Sequence, residues 1–342
     1  MTIGSIGRRG WITIGIAATA GVAAALVLNP RVQQSLFDRG AEAVTAKINT
    51  APLADDALRV AVCGSSAPLP SARRAKACVA VFAGGKFYVV DTGPESTENL
   101  SLWGIPLAQI GGVLLTHFHS DHIGDLGELQ LQTWAGGRRE PLAVYGGPGV
   151  DQVVDGFNRA YAMAQGYRTE HHGESVMPSK SWGLVARTVA LDGPPTPAKD
   201  RTATFYDDGS LRITAIEVNH APIARAARGA ELLVSEAISR SMTSSLESAA
   251  DKADRGKTAA IMHDVQDYHI SPEAAARIAN EAGVRMLVYY HLLPAPDNFL
   301  MRRLFAQGVD AVRPDHWTIA DDGSLYTLPF DSRDVLVGRI DQ

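Results

Sequence analysis

The chain has 342 residues, 46% hydrophobic side chains and a formal net charge of -5. This is the composition of an ordinary globular protein that is long enough to bury a large core. The slightly acidic balance excludes a basic field over the whole molecule, and no basic cluster of convincing size interrupts it. We therefore expect no nucleic acid among the partners.

An uncharged, apolar run occupies residues 11–28 and follows Arg8 and Arg9. At about 1.5 Å per residue, a helix of this length just spans the hydrocarbon core of a bilayer. The arginines before the run keep the amino terminus in the cytoplasm. We predict that residues 1–30 form a membrane anchor, with a cleaved signal peptide as the alternative. In either case the rest of the chain lies outside the cytoplasm, as a periplasmic, extracellular or secreted domain.

The globular domain is predicted over residues 58–342, after a connecting helix and linker at residues 31–57. Residues 166–203 are rich in Pro and Gly and are predicted to be irregular. Strands that alternate with helices indicate an α/β fold, called α+β in some schemes. Apolar patterning predicts strands at 58–63, 78–82, 87–90, 113–116, 142–145, 211–218, 286–290, 309–313, 317–320 and 325–328. It predicts helices at 125–134, 150–165, from 272 onward and at 299–307.

The two cysteines, Cys63 and Cys78, fall in neighbouring predicted strands. They are too few for a disulfide framework and wrongly spaced for a zinc ribbon. We expect two independent buried thiols. A single disulfide is the alternative if the domain lies in an oxidising compartment.

The most informative stretch is THFHSDH, residues 116–122, between a predicted strand and a predicted helix. Side chains alternate in an extended chain, so His117, His119 and Asp121 point to one side, and the turn brings His122 back toward them. Burying these polar groups without partners would cost several kcal/mol. Neutral imidazole and carboxylate are ligands that zinc takes. The stretch therefore predicts a metal site.

The HxHxDH pattern and the GGPG that follows the strand at 142–145 resemble the metallo-β-lactamase fold superfamily, in its ribonuclease Z-like and arylsulfatase-like branch. The resemblance covers roughly residues 58–330. It implies an αββα sandwich, in which two mixed sheets pack face to face with helices outside and a zinc centre lies at one edge.

The resemblance also implies metal ligands far from the motif. His220 and His291 each end a predicted strand. By the family pattern, His220 completes a first zinc site with the two histidines of HxH. His291 completes a second site with Asp121 and His122. Asp91, which directly follows a strand, would support these ligands.

Catalytic roles follow from the same resemblance. Asp121 would orient or deprotonate the attacking water. His269 matches the position at which ribonuclease Z relatives carry a histidine that protonates the leaving group, and a pKa near neutrality suits this task. Ser271 and Pro272 also have the pattern of a helix start, so the same segment serves to begin a helix.

One departure from the family pattern affects the metal centre. After the His220 position, relatives continue to a Gly-Asp-Thr turn whose aspartate bridges both metals. This chain runs from Pro222 to ELLVSEA at residues 231–237 without such a turn, as if the segment were deleted. Strand alternation points Glu217 away from His220, and Asp264 and Asp267 would reach the site only after rearrangement. Two zinc ions are expected from the family, and one is the alternative here.

These features predict a zinc-dependent hydrolase that cleaves a small phosphodiester or sulfate ester with a metal-activated water. The external location and the acidic balance favour a small-molecule ester over nucleic acid. A thioesterase of the glyoxalase II type, which shares HxHxDH, is one alternative. A non-catalytic member that has lost the bridging aspartate is another. A di-iron redox member would carry Glu in place of His119, so the histidine at this position argues against that alternative. The sequence leaves the oligomeric state open.

Overall fold

The computed structural model describes residues 29–191, 201–217 and 221–342. The chain divides into two compact units, residues 1–48 and 49–342. The second unit contains the sheets and the candidate site.

The first unit contains helix α1 (Pro30–Thr45), which lies in the stretch where a connecting helix was predicted. The predicted anchor at residues 11–28 lies outside the described residues. No helix in the described part of the chain combines the length and the apolar character that crossing a bilayer requires.

The strands of the second unit are β1 (Ala57–Gly64), β2 (Cys78–Ala83), β3 (Lys86–Val90), β4 (Ile110–Leu115), β5 (Leu142–Gly146), β6 (Leu184–Thr188), β7 (Thr202–Asp207), β8 (Arg212–Ile216), β9 (Leu232–Ile238), β10 (Met286–Leu293), β11 (Trp317–Ile319), β12 (Ser324–Pro329) and β13 (Leu336–Arg339). Its helices are α2 (Ser96–Leu102), α3 (Ser120–Ile123), α4 (Leu126–Ala135), α5 (Val150–His172), α6 (Ala221–Ala226), α7 (Arg240–Lys252), α8 (Gly256–Tyr268), α9 (Pro272–Glu281), α10 (Phe299–Phe305) and α11 (Val309–Val312).

The described strands form one large sheet, one small sheet and a hairpin. The large sheet has eight strands in the order β13-β12-β1-β2-β3-β4-β5-β6. It is mixed, because β3 to β6 pair in parallel while the pairs from β13 to β3 are antiparallel. The small sheet is parallel, in the order β11-β10-β9, and β7 pairs with β8.

The two-residue period of β1 shows how the layers pack. Val60 and Val62 face the small sheet and contact Val288 of β10. Ala61 and Cys63 point to the opposite face, where α2, α4 and α5 cover the large sheet. Helices α9, α10 and α11 cover the outer face of the small sheet. Each fully buried valine or leucine in these layers contributes about 1.5–3 kcal/mol. The predicted αββα sandwich is confirmed with one large mixed sheet, but the expectation of two mixed sheets is wrong, because the described strands of the small sheet are all parallel.

Two predicted elements are wrong. Residues 166–203 are not irregular throughout, since α5 continues to His172 and β6 follows at Leu184–Thr188. Gly173, with φ of 82°, ends α5 because glycine adopts positive φ without strain. Residues 309–313, predicted as a strand, begin with the short helix α11. A segment of five residues has too few positions to separate the period of a strand from that of a helix.

The cysteines also differ from the expectation of two free thiols, because Cys63 and Cys78 form a disulfide. Their Cα atoms lie 4.9 Å apart on the antiparallel pair β1–β2. A bulge between Val62 and Gly64 shifts the register of this pair. The bulge brings Cys63 beside Cys78 on the same face, and such a local irregularity has no signature in the spacing of the cysteines.

We expect that replacing both cysteines by alanine lowers the free energy of unfolding. The cross-linked cysteines are separated by 15 positions, and opening a loop of this size costs about 3 kcal/mol. Urea unfolding measures the change. A reductant should weaken the unsubstituted protein and leave the double variant unchanged, which separates the lost cross-link from the lost packing of the sulfur atoms. Equal stability of the unsubstituted protein with and without reductant would contradict the prediction.

Candidate metal centre

The turn from β4 into α3 presents the HxHxDH residues at the carboxyl end of a central strand. His117 and His119 are exposed and their ring nitrogens lie 3.0 Å apart. Asp121 and His122 are buried, because the single turn of α3 directs them into the protein. The rings of His117 and His122 have centroids 4.0 Å apart. The structure thus brings the four predicted side chains of the motif together.

Three donor atoms converge beneath this turn. The Nε2 atom of His291 lies 3.1 Å from Nε2 of His122 and 3.1 Å from Oδ2 of Asp121. The third separation, between His122 Nε2 and Asp121 Oδ2, is 3.5 Å. Tetrahedral zinc with bonds of about 2.0–2.1 Å requires ligand atoms about 3.3 Å apart. These residues therefore fit a divalent metal ion.

His291 reaches the centre from the small sheet. It interrupts the pairing of β10 with β9 as a bulge between Tyr290 and Leu292, and its φ is 44°. A bulge redirects a side chain, and a non-glycine residue at positive φ costs about 1–3 kcal/mol. Its Nδ1 atom is buried and has no hydrogen-bond partner in the described chain. A buried, strained and unsatisfied imidazole is more consistent with a ligand than with a core residue.

Asp91 contacts both ends of the turn that carries the HxHxDH motif. Its Oδ1 atom accepts a hydrogen bond from the Thr116 backbone N–H at 2.8 Å, and its Oδ2 atom accepts one from the Thr116 hydroxyl at 2.8 Å. Oδ2 also lies 2.8 Å from Nδ1 of His122. This contact keeps the proton of His122 on Nδ1 and leaves Nε2 free to bind a metal. The supporting role of Asp91 stays a prediction, and these are the contacts that it requires.

The surroundings of His117 and Asp121 shift their pKa values toward the protonation states in which each side chain can bind a metal. The protein atoms packed around the ring displace part of its water and, together with the neighbouring His122, lower the pKa of His117 to about 4. Burial alone would raise the pKa of Asp121, but the hydrogen bond with His291 and the charge of His122 lower it to about 2. At neutral pH, His117 is therefore a neutral imidazole and Asp121 a carboxylate, as metal binding requires.

A carboxylate–imidazole pair lies beside the three donors. His269 Nδ1 lies 2.6 Å from Glu236 Oε2, while Glu236 Oε1 accepts the Ile270 backbone N–H at 3.0 Å. The ring of His269 stacks on that of His291 with centroids 5.6 Å apart. The sequence assigned no role to Glu236. The signal that could have found it is an acidic residue inside the largely apolar strand LLVSEAI.

The other predicted residues lie elsewhere. His220 lies outside the described residues, so the predicted first zinc site is described only through His117 and His119. Glu217 is half exposed and forms an ion pair with Arg201 at 3.1 Å. Asp264 and Asp267 are exposed on α8. Among the described residues, the groups that could hold a metal are Asp121, His122 and His291, and Glu236, His269 and His291.

The sequence of this chain is similar to a known family and to individual proteins. A family model described as the Metallo-beta-lactamase superfamily matches residues 73–222. A ribonuclease Z of Mycolicibacterium gilvum is 31% identical over 255 residues, which cover 69% of this chain and 85% of that protein. A ribonuclease Z of Mycobacterium bovis is 29% identical over 254 residues, or 70% of this chain and 87% of that protein.

Solved structures share the fold. The short form of human tRNase Z superposes with a TM-score of 0.52 and 18% identity, covering 80% of this chain and 100% of that one. A metallo-beta-lactamase fold protein of Bacillus subtilis superposes with a TM-score of 0.50 and 21% identity, with the same coverage of 80% and 100%. At these identities the likeness concerns the fold alone.

These relatives correct one prediction. The chain was expected to act on a small-molecule ester and to have no nucleic acid partner, and this expectation is wrong, because the sequence relatives are ribonucleases. The physical error was to argue from total charge. A net charge of -5 is a sum over the whole surface, and a local group of arginines can bind a polyanion within it.

We expect that Asp91→Asn weakens metal binding roughly 10- to 100-fold. Asparagine tolerates the φ of 59° at this position, but its amide has one acceptor oxygen where the carboxylate has two. One of the donors from Thr116 or His122 then faces an NH₂ group. Competition with a chelator measures the affinity. The control is Asp56→Asn, which changes an exposed carboxylate paired with Arg59. Equal affinities for both variants would show that Asp91 does not support the centre.

Proposed function

The chain belongs to the metallo-beta-lactamase superfamily and is a metal-dependent hydrolase of ester bonds, and we propose that it is a phosphodiesterase that cleaves RNA. One observation carries this proposal: the three buried donor atoms of Asp121, His122 and His291 lie next to the pair of Glu236 and His269. The arrangement combines a metal site with a proton donor. The names of the ribonuclease Z relatives support RNA as the substrate.

The proposed metal is zinc. Two imidazoles and one carboxylate are donors that zinc takes readily, and Asp121, His122 and His291 would hold it. His117 and His119 are available to a second ion together with His220. When bound, a zinc ion would act as a Lewis acid at the phosphodiester and make a coordinated water more acidic.

Two residues handle the proton transfers: Asp121 at the attacking water and His269 at the leaving oxygen. Asp121 is ionised, so its carboxylate can orient the attacking water and accept a proton from it. The Nδ1 atom of His269 contacts the carboxylate of Glu236. The Nε2 atom is therefore the one that can deliver a proton to the leaving oxygen. Glu236 fixes the orientation of the ring through its contact with Nδ1. The oxygen of water joins phosphorus as the P–O bond to the leaving oxygen breaks.

The proposed location is outside the cytoplasm, as a membrane-anchored domain or, if the leading segment is cleaved, as a secreted one. The apolar run at residues 11–28 supports an anchor. The disulfide between Cys63 and Cys78 supports an oxidising compartment, since such bonds are rare in the cytoplasm. The RNA would then be met outside the cytoplasm.

We expect the full chain to cleave RNA, to lose this activity with a chelator and to regain it with zinc. His119→Ala should lower kcat/KM by at least roughly tenfold, as expected for a residue of the metal centre. His119 is exposed, so the variant opens no core cavity. The control is His172→Ala, an exposed histidine at the end of α5. Gel analysis of labelled RNA measures the rates, and cleavage that persists at full rate in the chelator would refute the proposal.

We expect His269→Ala to lower kcat on RNA by about 10²- to 10⁴-fold, the usual contribution of a general acid, and Glu236→Gln to lower it by less. Neither change should alter kcat on bis(p-nitrophenyl) phosphate, because p-nitrophenolate leaves without a proton. Metal content measured alongside should stay constant. An equal loss of activity on both substrates would show that the two residues do not act through protonation of the leaving group.

A further inference from the structure

A cavity of about 460 Å³ opens where the starts of α7 and α9 meet the end of α10. Its wall contains Arg240, Arg277 and Glu273, together with Leu304 and serine hydroxyls. Two cationic groups face one carboxylate, so the cavity has a positive balance. None of the candidate metal ligands or the pair Glu236–His269 lines it.

The two arginines are available to a ligand. Within the described chain, the guanidinium groups of Arg240 and Arg277 take part in no side-chain hydrogen bond or ion pair, and both residues are exposed. Other arginines of the same layer are engaged: Arg302 pairs with Asp321 at 2.8 Å, and Arg313 donates to Asn280 at 2.8 Å. An arginine presents a planar group of donors that matches a phosphate.

The cavity is close to the candidate site along the chain. Ser239 on its wall follows Glu236 by three positions, and Ser271 follows His269 by two. The Ile238 backbone N–H donates to the Ile270 carbonyl at 2.8 Å, which joins the two segments side by side. At no more than about 3.6 Å per residue, each segment spans about 11 Å at most. The cavity wall therefore lies within a few residues of the pair Glu236–His269 along both segments.

We propose that Arg240 and Arg277 form a subsite for a backbone phosphate of RNA, one or more nucleotides away from the bond that is cleaved. The inference rests on the proposed function. It resolves how a chain with a net charge of -5 holds a polyanion, because a local cationic pair beside the centre supplies the attraction. Contacts to phosphate carry no base specificity, so the subsite serves affinity and register.

The test uses the full chain and the double variant Arg240→Gln/Arg277→Gln. Fluorescence anisotropy measures the Kd for a labelled RNA of about twenty nucleotides at several salt concentrations, with a chelator present to prevent cleavage. We expect Kd to rise roughly tenfold at low salt, and the slope of log Kd against log salt to fall by about 1.4, which is about 0.7 for each of two phosphate contacts on a single strand. With metal, kcat/KM on RNA should fall in parallel, while hydrolysis of bis(p-nitrophenyl) phosphate should not change.

The control is Arg139→Gln/Arg159→Gln, which removes the same charge from two exposed arginines on α5 and the loop after α4. Equal RNA affinity of the two double variants would overturn the subsite, whether both match the unsubstituted protein or both weaken by the same factor. An unsubstituted chain that hydrolyses the aryl phosphodiester but neither binds nor cleaves RNA would overturn the proposed function as well. Cleavage of RNA by the unsubstituted chain, with no effect of Arg240→Gln/Arg277→Gln, would overturn this inference alone.

Discussion

The contact between the two sheets determines the geometry of the candidate site. Asp121 and His122 lie in α3, directly after β4 of the large sheet, while His291, Glu236 and His269 come from the small sheet and the segment that precedes α9. Val60 and Val62 of β1 pack against Val288 of β10 in the layer between the sheets. Because buried side chains interdigitate at high density, the two sheets cannot slide past each other without opening voids. The 3.1 Å separations in the centre depend on this packing.

Local strain is concentrated at the residues that this packing holds in place. Asp91 and His291 both have positive φ, at 59° and 44°. Neither conformation is favourable for the residue alone, and each persists because the surrounding strands leave no alternative. The stability of the two sheets therefore maintains an arrangement that is locally unfavourable. Conflicts between local preference and global structure are expected at functional sites.

The sequence was sufficient to predict the family and its sandwich fold, and it singled out motif residues that the structure brings together, although their roles stay predictions. HxHxDH follows a buried strand, so alternation and a turn bring its side chains together without knowledge of distant contacts. Glu236 could not be found in this way, because its partner His269 is 33 positions away and the pair forms only when β9 and the start of α9 come together. The disulfide depends on a bulge in β1, which no spacing rule contains. The substrate was mispredicted because total charge ignores how charges are distributed.

His291 is shared by the cluster of metal donors and by the pair of Glu236 and His269. Its Nε2 atom lies beside Asp121 and His122, and its ring stacks on His269. The side chain that would bind the metal is thus also the surface against which the proton donor rests. In evolutionary terms, a substitution at position 291 would alter metal binding and acid positioning in a single step. At this position, metal binding and acid positioning are therefore under one shared selective constraint.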